Sequence, residues 1–224
     1  MKFFALLVLF PLARAANAIV MYDTTNPDPP AAYGNLDART IMFDDVLVPS
    51  SRTQGNRRLY VTRIEAKVYA PRAGTYDIGA WVCTANFNNG PTPTFPPTFI
   101  RAATMQFSAN QIRTFSIGDG TNPLFNTSLL SIINHNVNYG AFFVGLSFSS
   151  NAQDIGWVQG DGPDFNLNGF WSYYGAGDGR NQFRTWAGNY RSSFNLKIEG
   201  YVVPEPASAV LLLLGAGFIV LRRR

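Results

Sequence analysis

Apolar and polar residues alternate along most of the central chain, and this pattern predicts short β-strands. From 194 to 199, apolar residues at even positions alternate with polar residues at odd positions, which is typical of a strand with one buried face. Strands are predicted over 41–48, 59–68, 74–82, 99–107, 112–117, 139–148, 155–158, 169–174 and 194–202. The segment 139–148 is apolar almost throughout and should be the most buried of them. About nine or ten short strands separated by turns predict an all-β, jelly-roll-like antiparallel β-sandwich.

Local features of the pattern carry further predictions. The alternation changes phase at Thr62-Arg63, which predicts a β-bulge or a break in that strand. The short, turn-rich segment 71–74 predicts a hairpin that pairs the strands on either side of it. The segment 129–133 is predicted as a single helical turn, and 88–97 and 118–126 as loops.

Composition and charge narrow the possible functions. The 224 residues suffice for one domain with tails, and the formal net charge is +4. Of the 18 basic residues, five lie in the two terminal segments, and of the 14 acidic residues only Glu205 lies there. Thirteen of each remain between 19 and 203, so the central domain is neutral and lacks the basic footprint of a nucleic-acid-binding protein. One Cys and one His exclude an internal disulfide and a multi-histidine metal site.

The N-terminal segment has the three parts of a secretory signal peptide. Lys2 supplies a positive start, an apolar run follows over 3–12, and Ala16 and Ala18 form an A-x-A cleavage site. A membrane anchor is the alternative, but the run is shorter than the ~20 residues that a spanning helix needs. The sequence therefore predicts a signal peptide over 1–18, removed by signal peptidase after Ala18.

The C-terminal segment, 203–224, contains a Pro-Glu-Pro motif, an apolar stretch and an arginine cluster, in that order: Pro204, Glu205, Pro206, then 207–221, then Arg222, Arg223 and Arg224. The apolar stretch predicts a single transmembrane helix over about 207–221. The arginines should stay in the cytoplasm by the positive-inside rule, which leaves the domain outside. Hydropathy alone leaves an ordinary tail anchor open as an alternative.

These three parts resemble the PEP-CTERM sorting signal of Gram-negative bacteria. The resemblance implies that an exosortase, a membrane transpeptidase-like enzyme, processes the chain while its helix lies transiently in the inner membrane. Cleavage near Pro206 would release the domain or re-attach it at the cell surface. Because such proteins commonly accompany exopolysaccharide and biofilm production, the resemblance also implies a place at the cell surface or in the extracellular matrix.

Aromatic residues are dense late in the chain and include the candidate glycan-binding side chains Trp157, Trp171, Tyr173, Tyr174 and Trp186. Exposed aromatic rings can stack on the apolar faces of sugars, with nearby polar groups supplying hydrogen bonds. The alternative is that these rings form the core of the sandwich.

One loop has the composition of a calcium site. Asp161, Asp164, Asn166 and Asn168 place four oxygen-bearing side chains within eight residues, and calcium takes six to eight oxygen ligands. The same residues are also ordinary turn formers. No other cofactor is expected.

The sequence gives little support for a catalytic site. Cys83 and His135 could form a dyad in space, but Cys83 follows Trp81 and Val82 on a predicted strand and is expected to be a small buried hydrophobe. A Ser-His-Asp site is no better supported, because no G-x-S-x-G motif occurs.

Paired carboxylates could cleave glycosides. Asp44 and Asp45 are adjacent and point to opposite faces of a strand, while Glu65 and Glu199 lie on different strands. We expect all four to lie on solvated strand faces or in turns. The sequence therefore predicts an exported, non-catalytic surface or matrix protein, and binding of exopolysaccharide is the sharper form of this prediction. The alternative is a secreted, glycosidase-like hydrolase with a β-sandwich fold.

Overall fold

The computed structural model describes residues 18–25, 33–34, 40–53, 58–87, 91–93, 96–134, 137–150, 154–160, 170–174, 183–185 and 193–203. These residues contain one short helix, α1 (Ser50–Thr53), and sixteen strands. In chain order the strands are β1 Ile19–Asp23, β2 Tyr33–Gly34, β3 Thr40–Pro49, β4 Arg58–Ala70, β5 Gly74–Phe87, β6 Pro91–Pro93, β7 Thr98–Phe107, β8 Gln111–Ile117, β9 Phe125–Ser128, β10 Leu130–Asn134, β11 Val137–Phe148, β12 Gly156–Gly160, β13 Phe170–Tyr174, β14 Phe183–Thr185, β15 Ser193–Phe194 and β16 Leu196–Val202.

The strands form two antiparallel sheets. In sheet I, β4 is central: β8 and β9 pair with one of its edges, and β16 and β12 pair with the other. Beyond these, β1 pairs with β16, and β2 and β15 pair with β12. In sheet II the order is β14-β13-β3-β11-β5, with β6 and β7 paired to β5 and β10 paired to β11. The finer expectation of a jelly-roll strand order stays a prediction.

Apolar side chains from both sheets meet in one cluster between them. Ile64, Trp157 and Leu196 come from sheet I, and Val46 and Phe142 come from sheet II. All five are fully buried. Burial of each such side chain is worth ~1.5–3 kcal/mol, and the pairing of the two inner faces confirms the β-sandwich that the alternation predicts.

The predicted irregularity at Thr62 is a β-bulge inside a continuous strand. The register between β4 and β16 shifts so that Glu199 pairs with Arg63 but Gly200 pairs with Val61, which leaves Thr62 without an opposite residue. Gly118 approaches the bulge closely: it has a φ of +90°, and an added Cβ would lie 2.1 Å from the carbonyl oxygen of Thr62. Only glycine fits that position, because both its backbone angle and the bulge carbonyl exclude a side chain.

The connections between strands differ from the sequence prediction. The segment 71–74 does not close a hairpin, because β4 belongs to sheet I and β5 to sheet II. Both strands turn their apolar faces to the same core, so the chain crosses from one sheet to the other, and the Tyr76 hydroxyl donates to the Arg72 carbonyl at 3.1 Å. The helical turn over 129–133 is also wrong, since β10 pairs with β11 there. Short strands β6 and β9 occupy parts of two predicted loops.

Sheet II is apolar on both faces. Tyr139 to Leu146 of β11 are all buried, as predicted, and Ile41 to Val48 of β3 are buried in the same way. On the face turned away from sheet I, Phe43, Cys83 and Phe143 form a second buried cluster. Cys83 is 3% exposed, which confirms the small buried hydrophobe expected there.

Both predicted terminal segments lie outside the described residues. These are the signal peptide up to Asn17 and the sorting segment from Pro204 onwards. Among the helices that the structure describes, none is long and apolar enough to cross a membrane.

Candidate functional site

Trp157 belongs to the core, which corrects its assignment as a glycan-binding residue. Its side chain is 0% exposed. The indole stacks on Phe194 with ring centroids 4.4 Å apart, and its N–H donates to the Asn195 carbonyl at 3.0 Å. Both ring faces and the polar edge are therefore inside the protein, so Trp157 has no surface to offer to a sugar.

The structure describes only part of the other four candidate glycan-binding residues. Backbone pairing places Trp171, Tyr173 and Tyr174 on β13, in register with Phe43, Ile41 and Thr40 of β3. The structure does not describe the side chains of these three residues, and Trp186 lies outside the described residues. Their glycan-binding role stays a prediction.

The predicted calcium loop also lies outside the described residues, with all four of its candidate ligands: Asp161, Asp164, Asn166 and Asn168. Within the residues that the structure does describe, no three acidic, histidine or cysteine side chains come together as a metal site. Calcium binding by the loop stays a prediction.

Asp44 and Asp45 are buried rather than solvated, which corrects the expectation for this pair. Asp44 points between the sheets, where its Oδ2 accepts a hydrogen bond from the Phe194 backbone N–H at 2.9 Å, and its Oδ1 has no partner among the residues that the structure describes. Burial raises the pKa of Asp44 well above 3.8, and the neighbouring charge of Asp45 raises it further. Burial raises the pKa of Asp45 to about 7. The two side chains are therefore buried within the sheet layer.

Glu65 and Glu199 meet at Lys197, on the outer face of sheet I. The Lys197 Nζ lies 2.7 Å from Glu199 Oε1 and 3.7 Å from Glu65 Oε2, and Arg63 also pairs with Glu65. The hydrogen bond to Glu199 raises the pKa of Lys197. Each of the two carboxylates therefore contacts a cation, and Lys197 lies between them.

A polar pocket of about 350 Å³ opens beside this ion network. We call it the Asn195 pocket, and its lining includes Asp23, Glu65, Lys67, Asn195 and Lys197. Two carboxylates and two ammonium groups face the same space, so the lining carries no net charge. The pocket offers hydrogen-bond donors and acceptors together without attracting ions of either sign.

Asn195 is one of the lining residues, and its backbone is fixed by hydrogen bonds. Its N–H donates to the Val158 carbonyl at 2.8 Å, and its own carbonyl accepts from the Trp157 indole at 3.0 Å and the Lys67 N–H at 3.3 Å. The side chain is 0% exposed, yet among the described residues neither its Oδ1 nor its Nδ2 has a hydrogen-bond partner. An unpaired buried polar group costs ~1–3 kcal/mol.

A second surface feature is an aromatic pair on the outer face of sheet II. Trp81 of β5 and Phe99 of β7 pack edge to face with ring centroids 5.0 Å apart. The Trp81 indole donates to the Ser147 hydroxyl at 2.8 Å, and Phe99 is 51% exposed. Gly79 lets these side chains pack closely over the sheet, because an added Cβ would lie 2.6 Å from the Ser147 hydroxyl and 3.2 Å from the indole nitrogen. We call this surface the Trp81–Phe99 pair.

Comparison with protein families decides the nature of the C-terminal segment. Residues 202–224 match the PEP-CTERM protein-sorting motif. This confirms the resemblance carried by the Pro-Glu-Pro motif, the apolar stretch and the arginines. The PEP-CTERM motif marks an exported protein that an exosortase handles at the cell envelope. Among curated proteins, none matches the chain.

The PEP-CTERM motif begins where the sandwich ends. Val202 is the last residue of β16, where it pairs with Leu59 of β4, and it is also the first residue of the match. One further described residue, Val203, separates the strand from Pro204. The sorting segment therefore follows a strand that is hydrogen-bonded into sheet I.

Sequence reasoning missed the Trp81–Phe99 pair and the unused amide of Asn195. A signal for Trp81 existed, since Ile78, Ala80 and Val82 alternate toward the core and leave Trp81 on the opposite face. No comparable signal existed for Asn195, because its lack of a partner depends on residues distant in the sequence.

Proposed function

We propose that this exported PEP-CTERM protein is a non-catalytic component of the cell surface or extracellular matrix that binds exopolysaccharide. Signal peptidase would remove the first 18 residues, and exosortase would act near Pro206. The Trp81–Phe99 pair is the observation that supports binding best. It replaces Trp157 as the sugar-stacking surface.

The geometry of the pair suits a sugar ring. The hydrogen bond to Ser147 fixes the Trp81 indole, and edge-to-face contact with Trp81 orients Phe99 while leaving half of its surface in solvent. A rigid, amphipathic aromatic surface loses little conformational entropy on binding. The apolar C–H face of a pyranose can cover the exposed part of Phe99.

The environments of the candidate catalytic side chains that the structure describes support binding rather than hydrolysis. Burial raises the pKa of the Cys83 thiol to about 12, so at neutral pH it is not a thiolate nucleophile. Glu65 and Glu199 are engaged with Lys197. Asp44 and Asp45 are enclosed in the sheet layer. These observations support a binding protein, and a secreted hydrolase remains the alternative that assays must exclude.

The test is retention of the full-length protein on immobilised bacterial exopolysaccharide. Phe99→Ala should reduce affinity roughly tenfold, because an aromatic contact is worth ~0.5–1.5 kcal/mol beyond its burial. Ile112→Ala is the matched control, since Ile112 is an exposed apolar residue of sheet I, 37% accessible, away from the pair. Equal retention of wild type and Phe99→Ala would contradict the proposal. Release of reducing ends from the polysaccharide, lost in Glu65→Gln, would favour the hydrolase instead.

A further inference from the structure

The sorting segment leaves the sandwich at one end of sheet I. We call this surface the exit end, and it is formed by Ile19, Arg52, Arg58, Tyr60, Tyr201 and Val203. We propose that the exit end docks on a membrane surface of anionic phospholipid headgroups while the sorting segment is still attached. This goes beyond the proposed function, because the docking belongs to the stage before exosortase cleavage and involves no polysaccharide.

Strand pairing brings apolar side chains together at the exit end. Val202 pairs with Leu59 at the end of the ladder between β4 and β16, so the next residues, Val203 and Arg58, lie at the edge of the sheet. Ile19 begins β1 and pairs with β16 close to the same point. The side chains of Ile19 and Val203 are 48% and 46% exposed. Two of the four large apolar side chains that are exposed among the described residues therefore lie at this one end.

The connection from the exit end to the membrane is short. The apolar stretch begins at Ala207, four residue steps after Val203. An extended chain covers ~3.3–3.6 Å per residue, so the two Cα atoms can lie at most about 14 Å apart. The headgroup layer on each side of the hydrocarbon is ~5–8 Å thick. While the apolar stretch lies in a membrane, the exit end is therefore held in or directly above the headgroups.

The two arginines of the exit end carry charge that no described carboxylate neutralises. The Arg52 guanidinium donates to the carbonyl oxygens of Val20 at 2.9 Å and Met21 at 3.0 Å, which fixes its position on β1. Arg58 is exposed, and neither arginine forms a salt bridge with a described residue. In the sequence, Arg57 precedes Arg58. Phosphate groups of anionic lipids are the partners that such a basic surface attracts.

The opposite end of the sandwich differs in charge. There Arg72 pairs with Asp154 at 3.1 Å, and Asp77 is exposed. The described residues of the exit end include no acidic side chain. Glu205 is the one acidic residue between Val203 and the apolar stretch, so three arginines at 52, 57 and 58 outnumber it. The positive charge is thus concentrated at the end from which the sorting segment leaves.

A stacked pair of tyrosines completes the exit end. The rings of Tyr60 and Tyr201 lie 5.4 Å apart between centroids, with 6° between their planes. Both side chains are half-buried. Tyrosine is enriched at membrane–water interfaces because its ring is apolar and its hydroxyl group is polar. The tyrosines and the apolar pair can therefore contact the boundary between headgroups and acyl chains, while the arginines contact phosphates.

The test uses the full-length protein inserted into vesicles through its own sorting segment, with flotation to select inserted protein. A fluorophore is attached to Ser51→Cys, an exposed position on α1 beside Arg52. Cys83 is only 3% exposed and should not react with the label. A lipid with a spin-labelled headgroup quenches fluorophores near the surface. In equimolar phosphatidylglycerol and phosphatidylcholine, we expect strong quenching at Ser51→Cys and none at Ala73→Cys, an exposed position at the opposite end.

Docking should depend on charge, whereas a short connection alone would not. The docked population, resolved by fluorescence lifetime, should fall in vesicles of phosphatidylcholine alone and at high salt. Arg58→Gln should lower the ratio of docked to undocked protein about fivefold, the effect of one basic residue near an anionic surface. Arg113→Gln is the matched control, because Arg113 is an exposed arginine of β8 that pairs with Val68, far from the exit end. It should leave that ratio unchanged.

Three results would overturn the proposal. Equal quenching at Ser51→Cys in both kinds of vesicle, or no effect of Arg58→Gln, would mean that the short connection alone brings the domain near the membrane. Equal quenching at Ser51→Cys and Ala73→Cys would mean that another surface faces the lipid. The proposed function is read separately, since polysaccharide retention depends on Phe99 and this assay contains no polysaccharide. Either proposal can therefore fail while the other stands.

Discussion

Burial raises the pKa of Asp45 from 3.8 to about 7, so the charge of this one side chain should make the protein less stable as the pH rises. The folded state holds the proton more tightly than the unfolded state. Between about pH 4 and pH 7 the folded protein therefore binds more protons, and the free energy of unfolding must fall through this window. At about 1.4 kcal/mol per pH unit, the loss is on the order of 4 kcal/mol.

Asp45→Asn removes this titration and keeps the size of the side chain. At pH 4 the variant and wild type should have similar stability, because the Asp45 carboxyl group is protonated in the folded state and only about half ionised in the unfolded state, where its pKa is 3.8. At pH 8 the variant should be more stable by about 2–4 kcal/mol, since no buried charge forms. Urea denaturation at one-unit steps from pH 4 to pH 8 measures both values.

Asp77→Asn is the control, because Asp77 is an exposed aspartate on β5. An effect of Asp77→Asn equal to that of Asp45→Asn would show that burial is not the cause. Asp44 has a pKa raised in the same direction, so Asp45→Asn should reduce the pH dependence without abolishing it. The reasoning fails if wild-type stability is level across this window, or if Asp45→Asn is the less stable protein at pH 8.

Three further predictions concern the core and the terminal segments. Trp157→Ala should lower the free energy of unfolding by about 3–5 kcal/mol, measured by urea denaturation; a change below 1 kcal/mol would contradict its place in the core. The intact mass of the surface-associated protein should lack residues 1–18 and the chain beyond about Pro206, and detection of the arginine tail in mature protein would leave only a plain anchor. If the loop 161–168 binds calcium, a chelator should lower the melting temperature, and an unchanged melting curve would exclude that site.

The strands were predictable because one buried face imposes a period of two on the local sequence. The same local rule identified the bulge at Thr62 and the burial of Cys83. It could not identify pairing partners, because the turn at 71–74 has the same composition whether the chain folds back as a hairpin or crosses to the other sheet. Which strands pair with each other depends on where two apolar faces meet, and that is a property of the whole sandwich.

The candidate site was less predictable than the fold for the same reason. Composition makes Trp157 and Trp81 equivalent, yet one is enclosed by Phe194 and the other lies beside exposed Phe99. Asp44 looked like a solvated acid because its partner, the Phe194 N–H, is 150 positions away along the chain. A polar group's burial and its partners are set by tertiary contacts, so single-sequence patterns do not report them.

The position of β16 determines how the domain would respond to mechanical force at a cell surface. β16 is hydrogen-bonded to β4 along one edge and to β1 along the other, and it leads directly into the sorting segment. If the C-terminus is attached to the envelope while the polysaccharide is pulled by flow, tension enters along the length of β16. That direction loads the hydrogen bonds of both ladders together in shear, instead of opening them one after another from an end. A domain attached in this way should resist extension better than one attached through an edge strand.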